Sequence, residues 1–360
     1  MYGNIYNHRR VLLTGHTGFK GSWLACWLQQ MGAEVCGYSL PAPTEPSHWN
    51  LLRLDMRSET ADIRDIEALK KVVREFQPEI VFHLAAQSLV RASYRSPVET
   101  YATNVMGTLN VFEACRETKS VRAIVNVTSD KCYENREWAK GYREDDAMGG
   151  YDPYSSSKGC SELLTASYRN SFFNISEFGR THQVLLASCR AGNVIGGGDW
   201  AMDRLIPDIM QAAASGRPVE IRNPNAIRPW QHVLEPLNGY LLVGQHLLEG
   251  NRDAAAAWNF GPSEEIEIPV CSVVDLIQRY WSRVVYRPAK NADAPHEASR
   301  LKLDCTKSRE RLGWCPVWNH QTTIERTVKW YREFYEHGTV ATRSDMTAYF
   351  QQMDVDRSNF

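Results

Sequence analysis

Three glycines spaced three residues apart near the start of the chain constrain its fold more than any other feature. Gly15, Gly18 and Gly21 follow the apolar run 11–13 and precede apolar residues at helical spacing, Leu24, Trp27, Leu28 and Met31. The segment therefore indicates a buried strand, a turn and a helix. In such a unit the first glycine permits a tight turn, the second lets the backbone approach a pyrophosphate, and the third packs the helix against the strand. The pattern predicts that a dinucleotide binds at the N-terminus of this helix.

Strands and helices continue to alternate as far as about residue 180, without an internal repeat. This order predicts a Rossmann-type α/β fold, a doubly wound parallel sheet. Beyond residues 194–200 the alternation weakens, and the runs 219–221 and 258–260 are typical of isolated strands. A smaller C-terminal α/β lobe that covers the substrate is therefore expected.

The chain has 360 residues, enough for one elaborate domain or for two domains that share a cleft. We expect residues 1–190 to form mainly the dinucleotide-binding domain and residues 191–345 mainly the substrate lobe, with some strands and helices exchanged between them. Residues 346–360 are expected to be a tail. The polar, weakly periodic segment from Tyr335 onward is either a loose tail or an oligomer contact.

Charge and apolar patterning limit the partners of the protein. Lys and Arg total 41 against 42 for Asp and Glu, so nothing points to a nucleic acid or an anionic membrane. No apolar run is long enough to cross a bilayer, and the first ten residues lack the apolar segment of a signal peptide. The nine cysteines are never spaced as paired metal ligands, so we expect reduced thiols and no metal site. We predict a cytoplasmic protein without nucleic-acid or membrane partners.

The second predicted strand bears on which dinucleotide binds. Dinucleotide folds often end this strand with an acidic residue for the adenosine ribose, but this chain has Tyr38, Ser39 and Leu40 there. Ser39 could bond a ribose hydroxyl instead. The absence of arginine at this strand end favours NAD over NADP, although Arg53 and Arg57 further along the chain leave both dinucleotides possible.

Two polar clusters further along the chain indicate catalysis. Tyr154 and Lys158 stand four residues apart just after Pro153, so they share one face at the start of a helix. A tyrosine with a pKa of about 10 is a poor base at neutral pH, but an adjacent ammonium stabilises the phenolate and lowers that pKa. Residues 128–131, Thr-Ser-Asp-Lys, end a buried apolar strand, where ligands bind in open α/β sheets. Together the clusters predict an active site with a tyrosine base.

These motifs together resemble the extended short-chain dehydrogenase/reductase family. The resemblance rests on the glycine turn, on the segment His-Leu-Ala-Ala-Gln at 83–87, on residues 128–131, and on Tyr154 with Lys158. It covers nearly the whole chain. The family implies NAD as cofactor and a nucleotide sugar as substrate.

Within this family, residues 15–24 and 128–133 are most similar to the 4,6-dehydratases that act on CDP-glucose. Dehydratases for dTDP-glucose and GDP-mannose carry a Thr-Asp-Glu type triplet at this strand end, whereas this chain has Ser129, Asp130 and Lys131. The resemblance implies a hydro-lyase that converts CDP-glucose to CDP-4-dehydro-6-deoxyglucose, for the deoxysugars of bacterial O-antigen. The exchange of Glu for Lys is the most informative departure from the family pattern.

The resemblance also implies a role for each catalytic residue. Tyr154 removes the proton of the sugar C4 hydroxyl, Ser129 polarises the C4 oxygen, and Lys158 also holds the cofactor ribose. NAD, when bound, takes hydride from C4 and returns it to C6. The 4-ketone acidifies the C5 proton, so Lys131 as base can remove it while Asp130 as acid protonates the C6 hydroxyl. In an alternative assignment Lys131 stabilises the enolate as a cation, and Asp130 or a water moves the proton.

The predicted cofactor contacts lie in the glycine turn, after two later strands and in the catalytic pair: Gly15, His16, Thr17, Gly18, Phe19, Lys20, Asp62, Ile63, Leu84, Ala85, Ala86, Gln87, Tyr154 and Lys158. In the turn, Lys20 adds attraction for the pyrophosphate and the bulky His16 crowds the adenosine side. We expect His83 to be a core histidine and Asn104 a structural bridge.

The substrate diphosphate calls for arginine, whose planar fork donates to two phosphate oxygens at once. The resemblance implies that Asn193 bonds the diphosphate region, that Arg228 meets a phosphate and that Arg300 closes over the diphosphate. Arg204, which opens a helix, is a further predicted substrate ligand. Pro229 stands where the family commonly has Asp.

Other functions stay open at this point. A sugar-nucleotide 4-epimerase shares the fold, Tyr154 and Lys158, but needs no acid and base at C5 and C6, so Asp130 and Lys131 argue against it. A dehydratase for another nucleotide sugar is a second alternative. A non-catalytic NAD(P)-binding regulator needs only the glycine turn. Family members pair through the helices up to that of Tyr154, so the resemblance implies a homodimer or homotetramer.

Overall fold

The computed structural model of the protein describes residues 2–221, 223–226, 228–262, 268–288 and 301–358. The strands in these residues are β1 Arg10–Thr14, β2 Glu34–Ser39, β3 Arg57–Thr60, β4 Ile80–His83, β5 Ala123–Val127, β6 Leu185–Ala191, β7 Val194–Ile195, β8 Val219–Ile221, β9 Gln231–His232, β10 Ala257–Phe260 and β11 Tyr286–Pro288. The α-helices are α1 Phe19–Gln30, α2 His48–Leu52, α3 Ile66–Phe76, α4 Val90–Arg95, α5 Pro97–Tyr101, α6 Gly107–Arg116, α7 Pro153–Ser171, α8 Leu205–Ala214, α9 Leu234–Leu248, α10 Val270–Tyr280, α11 Thr306–Leu312, α12 His320–His337 and α13 Thr342–Ser358.

Seven strands form one parallel sheet in the order β10-β6-β5-β4-β1-β2-β3. Successive side chains of β1 enter two separate cores, since Leu12 packs into one while Val11 and Leu13 pack into the other. Both faces of the sheet are thus buried, as a parallel sheet with helices on both sides requires. The predicted Rossmann-type doubly wound fold is confirmed.

The position of β10 at the edge of the main sheet differs from the prediction for residues 258–260. The sequence pattern predicts residues 258–260 as an isolated strand outside the main sheet, and this prediction is wrong. Strand β10 pairs with β6, with Trp258 opposite Cys189 and Asn259 opposite Arg190, and α9 packs on β5 and β6. The alternation of strands and helices is broken before β10, so its partner strand lies far back in the chain and local pattern could not reveal it.

The region after β4 consists of several helical segments rather than one helix. Helices α4 and α5 meet at Ser96, and a π-helical segment, Ala102–Met106, separates α5 from α6. Val98, on α5, is 82% exposed. Asn104 in the π-helical segment accepts from the Gln87 N–H at 2.8 Å and donates to the Ser157 hydroxyl at 2.9 Å. It is therefore a structural bridge, which joins the segment after β4 to α7.

The C-terminal segment is helical, so the expectation of a loose tail is wrong. Met346, Tyr349 and Met353 of α13 are buried, and the Tyr349 ring lies 5.9 Å from that of Trp27 in α1. These residues recur at helical spacing, which is how α13 buries an apolar face despite its polar composition. The division into two domains stays a prediction.

Candidate active site

The turn between β1 and α1 has the geometry of a pyrophosphate cradle. Gly15 has φ +76°, and a Cβ there would lie 2.7 Å from the Ala85 nitrogen, so only glycine fits between the turn and the end of β4. Gly18 precedes α1 and offers no side-chain cap to the first N–H groups of that helix. These donors are available to an anion. The turn therefore fits the pyrophosphate of a dinucleotide.

The His16 ring fills the groove between this turn and β2. It is buried, and a Cβ at Gly37 would lie only 2.5 Å from its Nδ1. Its Nε2 is 2.7 Å from the Ser58 hydroxyl oxygen, and its ring lies edge-on to Trp49 at 4.6 Å. Burial lowers the pKa of His16 to about 4, so the ring is neutral at pH 7. A bulky, uncharged group thus occupies the side of the turn where the adenosine half is expected.

We expect His16→Gly to tighten NAD binding about tenfold, or about 1.4 kcal/mol. Removal of the ring opens the groove beside Gly37, while turnover at saturating NAD stays the same because the catalytic residues are untouched. Calorimetric titration with NAD measures the change. His8→Gly, at an exposed histidine with φ +58°, is the matched control. An unchanged NAD affinity in His16→Gly would show that the ring faces elsewhere.

The predicted contacts near the adenosine side follow β1 and β3. Thr17 Oγ1 is 2.8 Å from Ser39 Oγ, so the serine expected to serve a ribose is hydrogen-bonded to the turn. The Asp62 carboxylate pairs with Arg64 at 2.5 Å, and Ile63 is buried. These four residues, Thr17, Ser39, Asp62 and Ile63, lie at the carboxyl edge of the sheet. The negative charge of Asp62 is paired with Arg64.

The predicted contacts 84–87 follow β4 directly and lie beside the turn. The Leu84 and Ala85 N–H groups each donate to Thr14 Oγ1 at 3.2 Å. The same hydroxyl lies 2.7 Å from His83 Nδ1. His83 is buried, and burial lowers its pKa to about 3, so it is the core histidine that the sequence predicts. Its hydrogen bonds fix the backbone on which a flat ring is expected to lie.

Lys20, in the first turn of α1 beside Phe19, reaches toward the catalytic residues. Its Nζ lies 6.0 Å from the centre of the Tyr240 ring. Burial, followed by the positive charges of Arg204 and Lys158, lowers the pKa of Lys20 to about 8, and Asp130 opposes them. Lys20 therefore adds a cation to the active site, in addition to the role expected for it at the pyrophosphate.

Helix α7 presents Tyr154 and Lys158 on one buried face. The Asp152 carboxylate caps this helix by accepting from the Ser155 N–H at 2.9 Å, and Pro153 takes the first helical position, where its missing N–H is harmless. The cap fixes where the helix begins. It therefore fixes the height of Tyr154 above the end of β5.

The pKa of Tyr154 departs from the expectation. Burial raises it to about 12, although a hydrogen bond with Ser129 acts in the opposite direction. The predicted lowering by the lysine is thus not found, because burial outweighs the neighbouring charges. Lys158 donates to the Val127 carbonyl at 3.3 Å, and burial lowers the pKa of Lys158 to about 8.

Ser129, Asp130 and Lys131 lie together at the end of β5. Ser129 Oγ donates to Asp130 Oδ1 at 2.9 Å and accepts from the Lys131 N–H at 3.2 Å. Burial raises the pKa of Asp130, against the charge of Lys131. A raised pKa is what a carboxyl group needs to act as an acid near pH 7. A Cβ at Gly192 would lie 3.0 Å from Asp130 Oδ2, so Asp130 faces the segment after β6.

That segment contains the first predicted substrate ligand. Asn193 is half-buried, and its carbonyl accepts from the Gln231 N–H at 3.1 Å. Arg228 precedes β9 and lines a cavity of about 30 Å³ together with Trp230. Asn193 and Arg228 therefore lie on adjoining chain segments near Asp130. The predicted ligand Arg300 lies outside the described residues.

Arg204 is held in place by an acidic neighbour. Its Nη1 lies 2.9 Å from Asp199 Oδ2, and this negative charge raises the pKa of Arg204, as does Tyr154 to a smaller extent. The guanidinium thus lies near Tyr154, the predicted base. It is only half-buried, which leaves it accessible to a substrate anion.

Two charged residues behind this site, Glu162 and Arg190, are not among those predicted from the sequence. Glu162 stands four residues after Lys158 and so shares the helix face of the catalytic pair, a spacing that could have drawn notice. Arg190 lies on β6, and no local spacing connects it to Glu162. Their contact depends on the packing of α7 on the sheet.

Three findings concern metals, thiols and membranes. Among the residues that the structure describes, no group of three His, Cys, Asp or Glu side chains could hold a metal ion. The nine cysteines are all free. In the described part of the chain, no helix combines the length and apolar character needed to cross a bilayer.

The fold and this site define an extended short-chain dehydrogenase/reductase. A family model described as GDP-mannose 4,6 dehydratase matches residues 12–327. The chain belongs to this family of 4,6-dehydratases, which confirms the resemblance drawn from its sequence.

Individual relatives are similar over nearly their full lengths. The CDP-glucose 4,6-dehydratase of Salmonella typhimurium is 54% identical over 331 residues, covering 91% of this chain and 92% of that protein. The dTDP-glucose 4,6-dehydratase of the same organism is 25% identical over 360 residues, covering 89% and 92%. Among solved structures, an epimerase of Methanothermobacter thermautotrophicus has a TM-score of 0.79 at 26% identity, covering 93% of this chain and 95% of that one. The similarity is therefore far greater to the CDP-glucose enzyme than to the dTDP-glucose enzyme.

Proposed function

We propose that this protein is an NAD-dependent hydro-lyase that converts CDP-D-glucose to CDP-4-dehydro-6-deoxy-D-glucose and water. The observation that carries this proposal is the 54% identity, over 91% of the chain, to the CDP-glucose 4,6-dehydratase of Salmonella typhimurium. The glycine turn supports NAD as the cofactor, and the hydrogen bonds of Ser129 with both Asp130 and Tyr154 support a dehydration. The place of the product in deoxysugar and O-antigen synthesis rests on the resemblance.

In the first half of the reaction, the oxidation at C4, the acting residues are Tyr154, Ser129 and Lys158. Tyr154 takes the proton of the C4 hydroxyl, and Ser129, hydrogen-bonded to it, polarises the C4 oxygen. NAD supplies the hydride acceptor. Arg204 is a cation that favours the ionised form of the phenol, against the effect of burial. Lys158 also holds the ribose of the cofactor.

The second half belongs to Asp130 and Lys131. The 4-ketone acidifies the C5 proton, which Lys131 removes, while Asp130 protonates the C6 hydroxyl so that water leaves. Burial raises the pKa of Asp130, the direction that favours its action as an acid. Lys131 is half-buried at the same strand end. The variants Lys131→Met and Lys131→Glu distinguish this role from the alternative, in which Lys131 stabilises the enolate as a cation.

The diphosphate of the substrate is held by Asn193, Arg204, Arg228 and Arg300 in this proposal. Arg204 supports the assignment, because it lies near Tyr154 and remains half-buried. The predicted cofactor contacts keep their roles in the turn and after β4. Residues 1–190 and 191–345 are then mainly the NAD-binding and substrate-binding parts.

The protein is a cytoplasmic homodimer or homotetramer in this proposal. Nine free cysteines fit a reducing compartment. Val98 and Met106, on α5 and the π-helical segment, and Leu163 on α7 are 82%, 51% and 61% exposed. Exposed apolar side chains on neighbouring helices are typical of an interface between protein chains.

The test uses CDP-glucose that carries deuterium at C4. We expect the base-induced ultraviolet absorbance of a 4-keto sugar, with the deuterium at C6 of the product by NMR, since the hydride returns within one turnover. Parallel incubations with dTDP-glucose and GDP-mannose measure nucleotide preference. Loss of the label to solvent contradicts the internal return. Formation of the C4 epimer without loss of water identifies an epimerase, and NAD binding without any turnover identifies a regulator.

A further inference from the structure

A buried ion pair joins α7 to β6 behind the catalytic residues. Arg190 Nη2 lies 2.8 Å from Glu162 Oε2, and the two side chains are only 5% and 2% exposed. Removing two charges from water costs several kcal/mol per ion, and attraction offsets this only with excellent geometry. Stability alone is therefore a weak reason for this pair. The other contacts of the two side chains indicate a different role.

The Glu162 carboxylate fixes the start of the catalytic segment, which we define as residues 128–133. It accepts from the hydroxyl of Thr128 and, at 2.7 Å, from that of Ser188. Thr128 is the residue directly before Ser129, and its own N–H donates to the Cys189 carbonyl at 2.9 Å. One carboxylate thus ties the helix of Tyr154 to the residue from which the catalytic segment begins.

The Arg190 guanidinium fixes the other end of the catalytic segment. Its Nη1 donates to the Tyr133 hydroxyl oxygen at 2.6 Å and to the Glu144 carbonyl at 3.1 Å. The guanidinium also lies 4.9 Å from the centre of the Tyr133 ring. Tyr133 in turn donates to Asn259 Oδ1 at 2.8 Å. Both ends of the segment that carries Ser129, Asp130 and Lys131 therefore depend on one ion pair.

Glu162 also acts on the charge of Lys158, one helical turn before it. Burial lowers the pKa of Lys158, and the negative charge of Glu162 raises it again. The other titratable groups that face Lys158 are Cys132 at the end of β5, His83 on β4 and Lys20 on α1. Burial keeps Cys132 and His83 uncharged, and Lys20 is a cation. Among these groups Glu162 is the anion that favours a protonated Lys158.

We propose that the Glu162–Arg190 ion pair is the positioning element of this active site, which aligns the catalytic segment with Tyr154 and keeps Lys158 in its charged form. Both are positioning residues, because they act through Thr128, Tyr133 and Lys158. The kinetic part of this inference rests on the proposed function. The part that concerns Lys158 does not require a substrate.

The test begins with Glu162→Gln, which preserves the shape of the side chain, removes its charge and keeps one acceptor oxygen in place of two. We expect kcat for CDP-glucose to fall at least about tenfold, with the KM nearly unchanged, and the alkaline limb of the pH profile to move down by about one unit. NMR titration of protein labelled with ¹³C at the lysine Cε follows Lys158 directly. Its signal is assigned by its absence in Lys158→Met, and we expect its midpoint to fall below that of the wild type.

Two further variants separate positioning from stability. Asp345→Asn removes a buried carboxylate of α13 that lies 3.6 Å from Arg326. This variant should change thermal stability without moving the titration midpoint of Lys158. Glu162→Gln/Arg190→Met removes both charges and should recover thermal stability but not kcat, because Tyr133 loses the hydrogen bond from Arg190 and Lys158 loses its neighbouring anion.

The outcomes separate this inference from the proposed function. An unchanged Lys158 midpoint in Glu162→Gln, or a wild-type kcat in the double variant, overturns the inference. Failure of the wild-type protein to convert CDP-glucose overturns the proposed function instead, and the Lys158 titration still decides the role of Glu162.

Discussion

Tyr154→Phe is expected to slow the reduction of NAD by CDP-glucose about 10³-fold, within the range that a general base contributes. The variant keeps the ring and its packing in α7 and removes only the hydroxyl that bonds Ser129. Binding of the sugar nucleotide should stay largely intact, because the proposed diphosphate ligands lie on other segments. Stopped-flow absorbance of NADH measures the first quantity and calorimetry the second.

The control for this variant is Tyr151→Phe, three residues earlier in the chain, where the side chain is 78% exposed. It removes a phenol hydroxyl without touching the buried face of α7, so its NAD reduction should match that of the wild type. Near-normal turnover in Tyr154→Phe would contradict the assignment of Tyr154 as the base. A loss of binding equal to the loss of rate would show that the phenol holds the sugar instead.

The second large effect is expected in Lys131→Met. Loss of the C5 proton should slow about 10²-fold, the contribution of one proton-transfer group, while the initial reduction of NAD changes much less. The reason is that Lys131 acts only after the 4-ketone has formed. Entry of solvent deuterium at C5, followed by NMR over time, measures the first step, and transient NADH absorbance measures the second.

Lys131→Glu sharpens this test, because related dehydratases carry a carboxylate at this position. If Lys131 is a base, the Glu variant should recover part of the C5 exchange. If Lys131 stabilises the enolate by its positive charge, C5 exchange should be slower in the Glu variant than in the Met variant. Lys140→Met, at an exposed lysine, controls for the loss of one cation. Equal slowing of NAD reduction and C5 exchange in Lys131→Met would count against a role specific to C5.

Much of the candidate site could be predicted from local spacing. The three glycines required a turn that approaches a neighbouring strand, and the structure has Gly15 in the left-handed region against Ala85. The spacing of Tyr154 and Lys158 predicted a shared helix face, and both are buried on α7. These features depend on a few consecutive residues. Local stereochemistry is enough to determine them.

Burial could not be predicted in the same way. An ammonium four residues from a phenol suggests a lowered pKa, but the protein around Tyr154 raises that pKa to about 12. Lys20 was expected to serve a pyrophosphate, and it also acts on Asp130 and Lys158. The pKa of each group depends on every charge around it and on how much water the fold excludes. Neither quantity is visible in a window of sequence.

The sequence by itself determined the strand, turn and helix around Gly15, the tyrosine and lysine on one helix face, and the family to which the chain belongs. The tertiary structure alone decided that β10 completes the main sheet and that α13 packs on α1. It alone also joined Glu162 to Arg190, behind the catalytic segment. The physical reason is that turns and helix faces follow from neighbours in the chain, whereas sheet edges, buried ion pairs and shifted pKa values follow from residues that only folding brings together.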